Sequence, residues 1–122
     1  MDSDFFKNKT NLQKIILTNN SLEFIDDKLF KYVSNLRLLD LALNQISYIH
    51  EDAFNNLGKL NELDLRLNKL TNIPVKLFSS LWNLKILYLN NNPVYKIHSD
   101  IFLSLINTKY FGIIGLKLKT LP

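Results

Sequence analysis

The stretch Leu60-Asn61-Glu62-Leu63-Asp64-Leu65-Arg66-Leu67-Asn68-Lys69-Leu70-Thr71-Asn72-Ile73-Pro74 decides how this chain is read. With Leu60 as position 1, apolar residues stand at positions 1, 4, 6, 11 and 14, and an asparagine stands at position 9. The same pattern returns every 24 residues, in both directions. Position 4 reads Ile15, Leu39, Leu63, Leu87, Phe111, and position 6 reads Leu17, Leu41, Leu65, Leu89, Ile113. Position 11 reads Leu22, Ile46, Leu70, Val94, Leu118, and position 14 reads Ile25, Ile49, Ile73, Ile97, Leu121. Against a 47% apolar background, an unbroken set of this size arises by chance on the order of once in 10⁶ to 10⁷. The chain is a tandem repeat.

Two columns carry specific chemistry. Position 9 is Asn20, Asn44, Asn68, Asn92, and fails at Leu116, whereas position 19 is Phe6, Phe30, Phe54, Phe78, Phe102. Apolar residues at 4 and 6 between variable ones at 3, 5 and 7 have the two-residue period of a short strand. A 24-residue interval leaves room for a return path, so the strands run parallel and stack about 4.8 Å apart. Beyond position 8 the chain turns, and a buried asparagine amide satisfies backbone groups in its own and the adjacent turn. Asn20, Asn44, Asn68 and Asn92 are therefore expected to form a ladder. Return segments such as Asp26–Val33 and Ser99–Leu105 open with capping residues and place apolar groups three apart, as in one or two turns of helix or 3₁₀. The Phe column fills this bulkier outer arc, so the sheet lies on the concave side. The expected class is α/β: a solenoid of about five repeats forming one domain over residues 1–122.

These residues resemble the "typical" 24-residue leucine-rich repeat, with Leu60 to Pro74, Phe78 and Leu81 as its best example. The resemblance extends over nearly the whole chain. That subclass is similar to the ectodomains of Toll-like receptors, Slit proteins and small secreted proteoglycans, which implies extracellular protein recognition, with innate immunity among its settings. Those families usually close the solenoid with cysteine-rich caps, and this chain has no cysteine. Met1 falls at position 14 and Pro122 at position 15, so the frame starts and stops within a repeat. The expectation is a segment of a longer receptor-like array, extracellular or at the cell surface. The alternative is an intracellular scaffold or adaptor, cytoplasmic if the chain is complete as written, and a segment recognising nucleic acid or glycan ranks third.

Composition narrows the chemistry. Among 122 residues there are 15 Lys+Arg against 11 Asp+Glu. The absence of cysteine excludes disulfides, thiolate nucleophiles and Cys-based metal sites. No apolar run approaches the ~20 residues of a membrane span, and Met1 to Lys7 lacks signal-peptide architecture. There is no Gly-rich phosphate loop, zincin motif or nucleophile elbow. Asp40 and Asp64 share position 5 on neighbouring strands, which brings two carboxylates within glycosidase range, but an open sheet gives no enclosed subsite and Arg37 and Arg66 stand close enough to neutralise them. His50 and His98 share position 15 two repeats apart, roughly 10 Å, too far for one zinc ion with ~2.0 Å bonds. The lysines scatter around the coil, which disfavours a nucleic-acid footprint. No enzyme activity, metal or cofactor is expected. Asn8-Lys9-Thr10 and Asn19-Asn20-Ser21 are formal N-glycosylation triplets.

What remains is the outward face of the strands. Its candidate partner-binding residues are Arg37, Asp40, Glu62, Asp64, Arg66, Lys85, Ile86, Tyr88, Asn90 and Tyr110, with a protein as ligand. Tyr88, beside Arg66 and Ile86, is the candidate anchor, because Tyr and Arg dominate interface energetics.

Overall fold

A computed structural model describes residues 1–120. Seven short strands run in chain order: β1 (Lys14–Ile16), β2 (Phe24–Ile25), β3 (Leu38–Asp40), β4 (Tyr48–Ile49), β5 (Glu62–Asp64), β6 (Ile86–Tyr88) and β7 (Tyr110–Gly112). Five of them form one sheet in the order β1-β3-β5-β6-β7. Every pairing is parallel, and the register steps by one repeat: Ile15 faces Leu39, Leu39 faces Leu63, Leu63 faces Leu87 and Leu87 faces Phe111. This is the leucine-rich-repeat solenoid that the repeat predicts.

The columns do different physical work. Leu39, Leu63 and Leu87 at position 4 and Leu41, Leu65 and Leu89 at position 6 are wholly buried, as are Ile46 and Val94 at position 11. Between them, Phe6, Phe30, Phe54 and Phe78 line the outer arc, with ring centroids 6.0 Å and 6.2 Å apart along the first three. Phe102 leaves this spine: it is 37% exposed and packs its edge on Phe111 at 5.3 Å. Leu121, the fifth member of the position 14 column, and Pro122 lie outside the described residues.

The return arcs are successions of turns, with a 3₁₀ turn at Ser99–Phe102, and no α-helix forms among the described residues. Bonds from residue i+3 back to i repeat in register, as in Val33 N–H to Phe30 O, Leu57 N–H to Phe54 O and Leu81 N–H to Phe78 O. Only about ten residues separate a position 14 from the next position 1, too few to complete a stable helix in addition to the turns at each end. Position 15 opens each arc. Asp26 Oδ1 accepts the N–H groups of Lys28 and Leu29 at 2.9 Å, and the Nδ1 atoms of His50 and His98 accept the N–H groups of Asp52 and Asp100 at 3.0 and 3.1 Å. The two histidine rings therefore act as turn caps.

A second, two-stranded parallel sheet, β2 with β4, runs along positions 13 and 14, and an isolated bridge between Asn72 and Lys96 continues the same column. It follows from the same 24-residue stacking: Ile25 and Ile49 point in, and Phe24 and Tyr48 point out.

Candidate functional site on the concave sheet

Three asparagines tie the turns together. Asn68 Oδ1 accepts the N–H of Ile46 in the preceding repeat at 3.0 Å, while its Nδ2 donates to Leu41 O at 3.0 Å and Leu65 O at 3.1 Å. Asn92 repeats this one turn on, accepting from Leu70 N–H and donating to Leu65 O and Leu89 O. Asn44 accepts from Asn20 and Leu22 and donates to Leu17 O and Leu41 O. Asn20 departs from the expected ladder. Each of the other three accepts from the repeat before it, and no described repeat presents N–H groups to Asn20; it is exposed and makes a single side-chain bond, to Thr18 O.

The ladder fixes where each strand ends, and the strand ends carry the outward residues. Viewed across the sheet, position 3 is Lys14, Leu38, Glu62, Ile86, Tyr110, and position 5 is Ile16, Asp40, Asp64, Tyr88, Gly112. Asp40 Oδ1 accepts the N–H of Ala42 and Asp64 Oδ1 that of Arg66, so both carboxylates close the strand onto its turn. Arg66 adds a two-pronged contact to Asp64, Nε to both oxygens at 2.9 and 3.0 Å and Nη2 to Oδ2 at 2.5 Å. Asp64 is thereby only 4% exposed although it faces outward. The hydrogen bond to Asp64 raises the guanidinium pKa above its ordinary value, desolvation opposes this, and the charges of Asp64, Tyr88 and Asp40 add to the rise. Arg66 is a permanent cation held in one place.

From there the cluster extends into aromatics. The Arg66 guanidinium carbon lies 4.5 Å from the Tyr88 ring centroid, a cation–π contact, and the Tyr88 and Tyr110 rings sit 5.3 Å apart. Gly112 makes room beside them. A Cβ there would meet Asn90 Oδ1 at 2.1 Å and the Tyr88 ring at 3.2 Å. Asn90 Oδ1 is buried and has no hydrogen-bond partner among the described residues. Arg66, Tyr88, Asn90 and Tyr110 are thus brought together, with Asp64 beneath and Ile86 alongside Tyr110 in the register. Arg37, Lys85 and Glu62 lie toward the strand starts, and Arg37 and Lys85 are exposed. Asp40 is one strand away from the cluster.

Two features escaped the sequence reading. Position 8 adopts a left-handed backbone in every repeat: Asn19, Leu43, Leu67, Asn91 and Gly115 all have φ between 56° and 78°. The Asn, Asn and Gly in that column are a signal, masked by the two leucines. A second asparagine column at position 24 also stitches repeats. Asn35, Asn83 and Asn107 donate to Thr10 O, Gly58 O and Trp82 O, and Lys59, which replaces the fourth, reaches Asn35 Oδ1 instead.

The chain belongs to the leucine-rich-repeat family: the profile described as leucine rich repeat matches residues 10–70. Its fold is that of a protein-interaction module. No curated protein matches it significantly in sequence. Among solved structures it is similar to the TLR13 chain of a TLR13–ssRNA13 complex, at 36% identity and a TM-score of 0.76, with 80% of this chain and 14% of that one covered. It also superposes on the leucine-rich-repeat domain of APL1B with a TM-score of 0.86 over 91% of this chain and 33% of the other; at 23% identity that likeness shows the fold alone. The chain thus spans about a seventh of the one and a third of the other. No helix among the described residues is long and apolar enough to cross a membrane.

Proposed function

We propose that the concave sheet is the binding face of a receptor-like, extracellular leucine-rich-repeat protein, that its ligand is a protein, and that Arg66, Tyr88 and Tyr110 form the anchor. The observation that carries this reading is the preorganised stack of Asp64, Arg66, Tyr88 and Tyr110. Long side chains lose rotamer freedom on binding, and a guanidinium already clamped by a carboxylate and a ring has little left to lose. Exposed apolar surface adjoins the stack: Tyr110 itself is 51% exposed, and Ile114, which shares position 7 with Arg66 and Asn90, is 75% exposed. The likeness to TLR13 supports the receptor-like setting, and Asn8 and Asn19, which begin the glycosylation triplets, are both exposed.

That relative was solved with single-stranded RNA, so RNA is the reading to test against. At the centre of this sheet Asp64 and Arg66 neutralise each other and Asp40 and Glu62 remain, while the exposed cations Arg37 and Lys85 stand apart at the strand starts, so no continuous cationic track for a phosphate backbone crosses it. The decisive experiment purifies partners from secreted protein on the immobilised chain and then measures affinities of variants. Tyr88→Ala and Arg66→Ala should each weaken binding about 30-fold or more, while Lys28→Ala on the convex arc stays within about twofold. Salt-sensitive binding of single-stranded RNA that exceeds any protein's affinity, or loss of partner binding in Lys28→Ala alone, overturns the proposal.

A further inference from the structure

The charges of this chain sort by position once the turns are stacked. Where each return arc hands over to its strand, positions 22 to 3, the five turns carry Lys9, Lys14, Arg37, Lys59, Lys85 and Lys109 against a single carboxylate, Glu62. On the return arcs, positions 14 to 21, seven carboxylates stand against four lysines. The fold does not demand cations at the strand starts, since Gln13 and Asn61 occupy position 2 equally well. All six cations are exposed, and none is in an ion pair among the described residues. Backbone bonds hold position 2 in line: Arg37 N–H donates to Gln13 O at 2.8 Å, Asn61 N–H to Arg37 O at 2.7 Å, Lys85 N–H to Asn61 O at 2.8 Å and Lys109 N–H to Lys85 O at 2.9 Å. Lys14 supplies the charge next to Gln13, and Lys59 the charge two residues before Asn61. Every turn therefore contributes a cation, at steps of about 4.8 Å, in a row that runs along the edge of the sheet and not across it. At the last two turns the row forms a seat. Lys85, Lys109, Asn83, Asn107, Thr108 and Ile106 line a depression of about 280 Å³, with no carboxylate among them. Asn83 Nδ2 donates to Gly58 O at 2.8 Å and Asn107 Nδ2 to Trp82 O at 2.7 Å, which holds each Oδ1 in place as an acceptor.

The geometry points to this strand-start edge as a docking site for a linear sulfated polysaccharide, with one sugar ring seated between Lys85 and Lys109. A row of unpaired like charges raises the local potential and draws in a polyanion, whereas a single small anion gains little from exposed lysines screened by salt. The groups between the charges identify the polymer. Sugar hydroxyls are donors, and the Oδ1 atoms of Asn83 and Asn107 are placed to accept from them. Ile106, 72% exposed, offers an apolar wall to the C–H face of a ring. A single-stranded nucleic acid needs aromatic platforms between its phosphate contacts. Positions 24 and 2 carry amides and cations instead, while Trp82 lines a groove on the convex arc and Tyr110 packs on Tyr88. Sulfate fits the row better than carboxylate does, because five of the six cations are lysines. An ammonium is a point charge with three donors, whereas planar carboxylates select the arginine fork.

The test titrates the protein with a heparin hexasaccharide in a calorimeter over a series of salt concentrations. A dissociation constant below about 100 μM is expected at about 0.1 M salt. The logarithm of the affinity should fall against that of salt with a slope of roughly −3, as four or five neutralised charges require. Lys85→Gln and Lys109→Gln should each weaken binding about fivefold or more and flatten that slope by roughly 0.7. Lys28→Gln and Lys76→Gln remove the same charge from the return arcs and should stay within about twofold. The fully desulfated hexasaccharide, which keeps its carboxylates, should bind about tenfold more weakly or worse. Tyr88→Ala should leave binding unchanged, which separates this edge from the concave face. The inference is overturned by absent binding, by equal losses for the edge and arc lysines, or by equal binding of the desulfated sugar. Tighter binding of an oligouridylate of equal charge, or capture by phosphatidylserine vesicles that the hexasaccharide does not displace, overturns it as well.

Discussion

Replacing asparagine by leucine at each rung of the ladder should produce a graded loss of stability whose order follows from the hydrogen bonds. In Asn68→Leu, the carbonyls of Leu41 and Leu65 keep the amides of Asn44 and Asn92, and Arg66 O keeps the N–H of Leu43. The Ile46 N–H loses its acceptor outright, inside the core. A buried donor left unpaired costs about 1–3 kcal/mol, and three weakened carbonyl contacts bring the total to about 2–4 kcal/mol. At this chain length each kcal/mol lowers the melting temperature by about 4 °C, so a drop of roughly 8–15 °C is expected. Asn92→Leu strands the Leu70 N–H in the same way and should match it. Asn44→Leu frees the N–H groups of Asn20 and Leu22 near the end of the stack, where water replaces the lost acceptor, and should cost less. Asn20→Leu removes one exposed bond and should stay within about 0.5 kcal/mol. Thermal and urea unfolding of the four variants measures the series. Equal losses for Asn20→Leu and Asn68→Leu, or a tolerated Asn68→Leu, would refute the account of the ladder.

Three further expectations rest on separate features. Leu67 is held at φ 57° and exposed, so Leu67→Asn, matching Asn19 and Asn91 in the same column, should stabilise by about 0.5–1 kcal/mol in urea unfolding; a lower midpoint would contradict backbone strain there. Gly112→Ala should destabilise by about 1–2 kcal/mol by displacing Asn90, and the cost should shrink markedly in an Asn90→Ala background, a coupling that a double-mutant cycle reads directly. Amide exchange should be slower in β3 and β5 than in the edge strands β1 and β7; uniform protection across all five would mean that the sheet edges are covered in solution.

The solenoid was legible because the columns that define it are apolar and periodic: Leu39, Leu63 and Leu87 could be placed in the core from spacing alone. The ladder was legible for Asn44, Asn68 and Asn92 and misleading for Asn20, since a column shows which residues are equivalent and not which has a neighbour to bond. The concave cluster was half legible. Side-chain alternation put Asp64, Arg66, Tyr88 and Tyr110 on one face, but the clamp that buries Asp64, the stacking of Arg66 on Tyr88 and the gap left by Gly112 depend on rotamers and on contacts between strands, for which sequence spacing carries no signal. The left-handed position 8 was obscured for a different reason. Leucine there is locally unfavourable, so a reading based on preference passes over the two repeats where the fold overrules it.

That override bears on function. Leu43 and Leu67 are strained in backbone and 48% and 45% exposed in side chain, where asparagine or glycine relieves the strain in the other repeats. Neither feature helps the folded chain by itself. Both leucines border the strand ends next to Ala42 and Arg66, on the rim of the concave face, where exposed apolar side chains would add area around the Arg66–Tyr88 stack. The two properties can be separated by experiment. Leu67→Asn should raise stability whether or not a ligand uses this rim, whereas only contact with a partner makes the same substitution weaken binding, by the roughly threefold to tenfold typical of a peripheral apolar contact outside the central hot spot. A gain in stability with affinity unchanged would confine the binding face to the strands themselves and leave the strained leucines without a role in it.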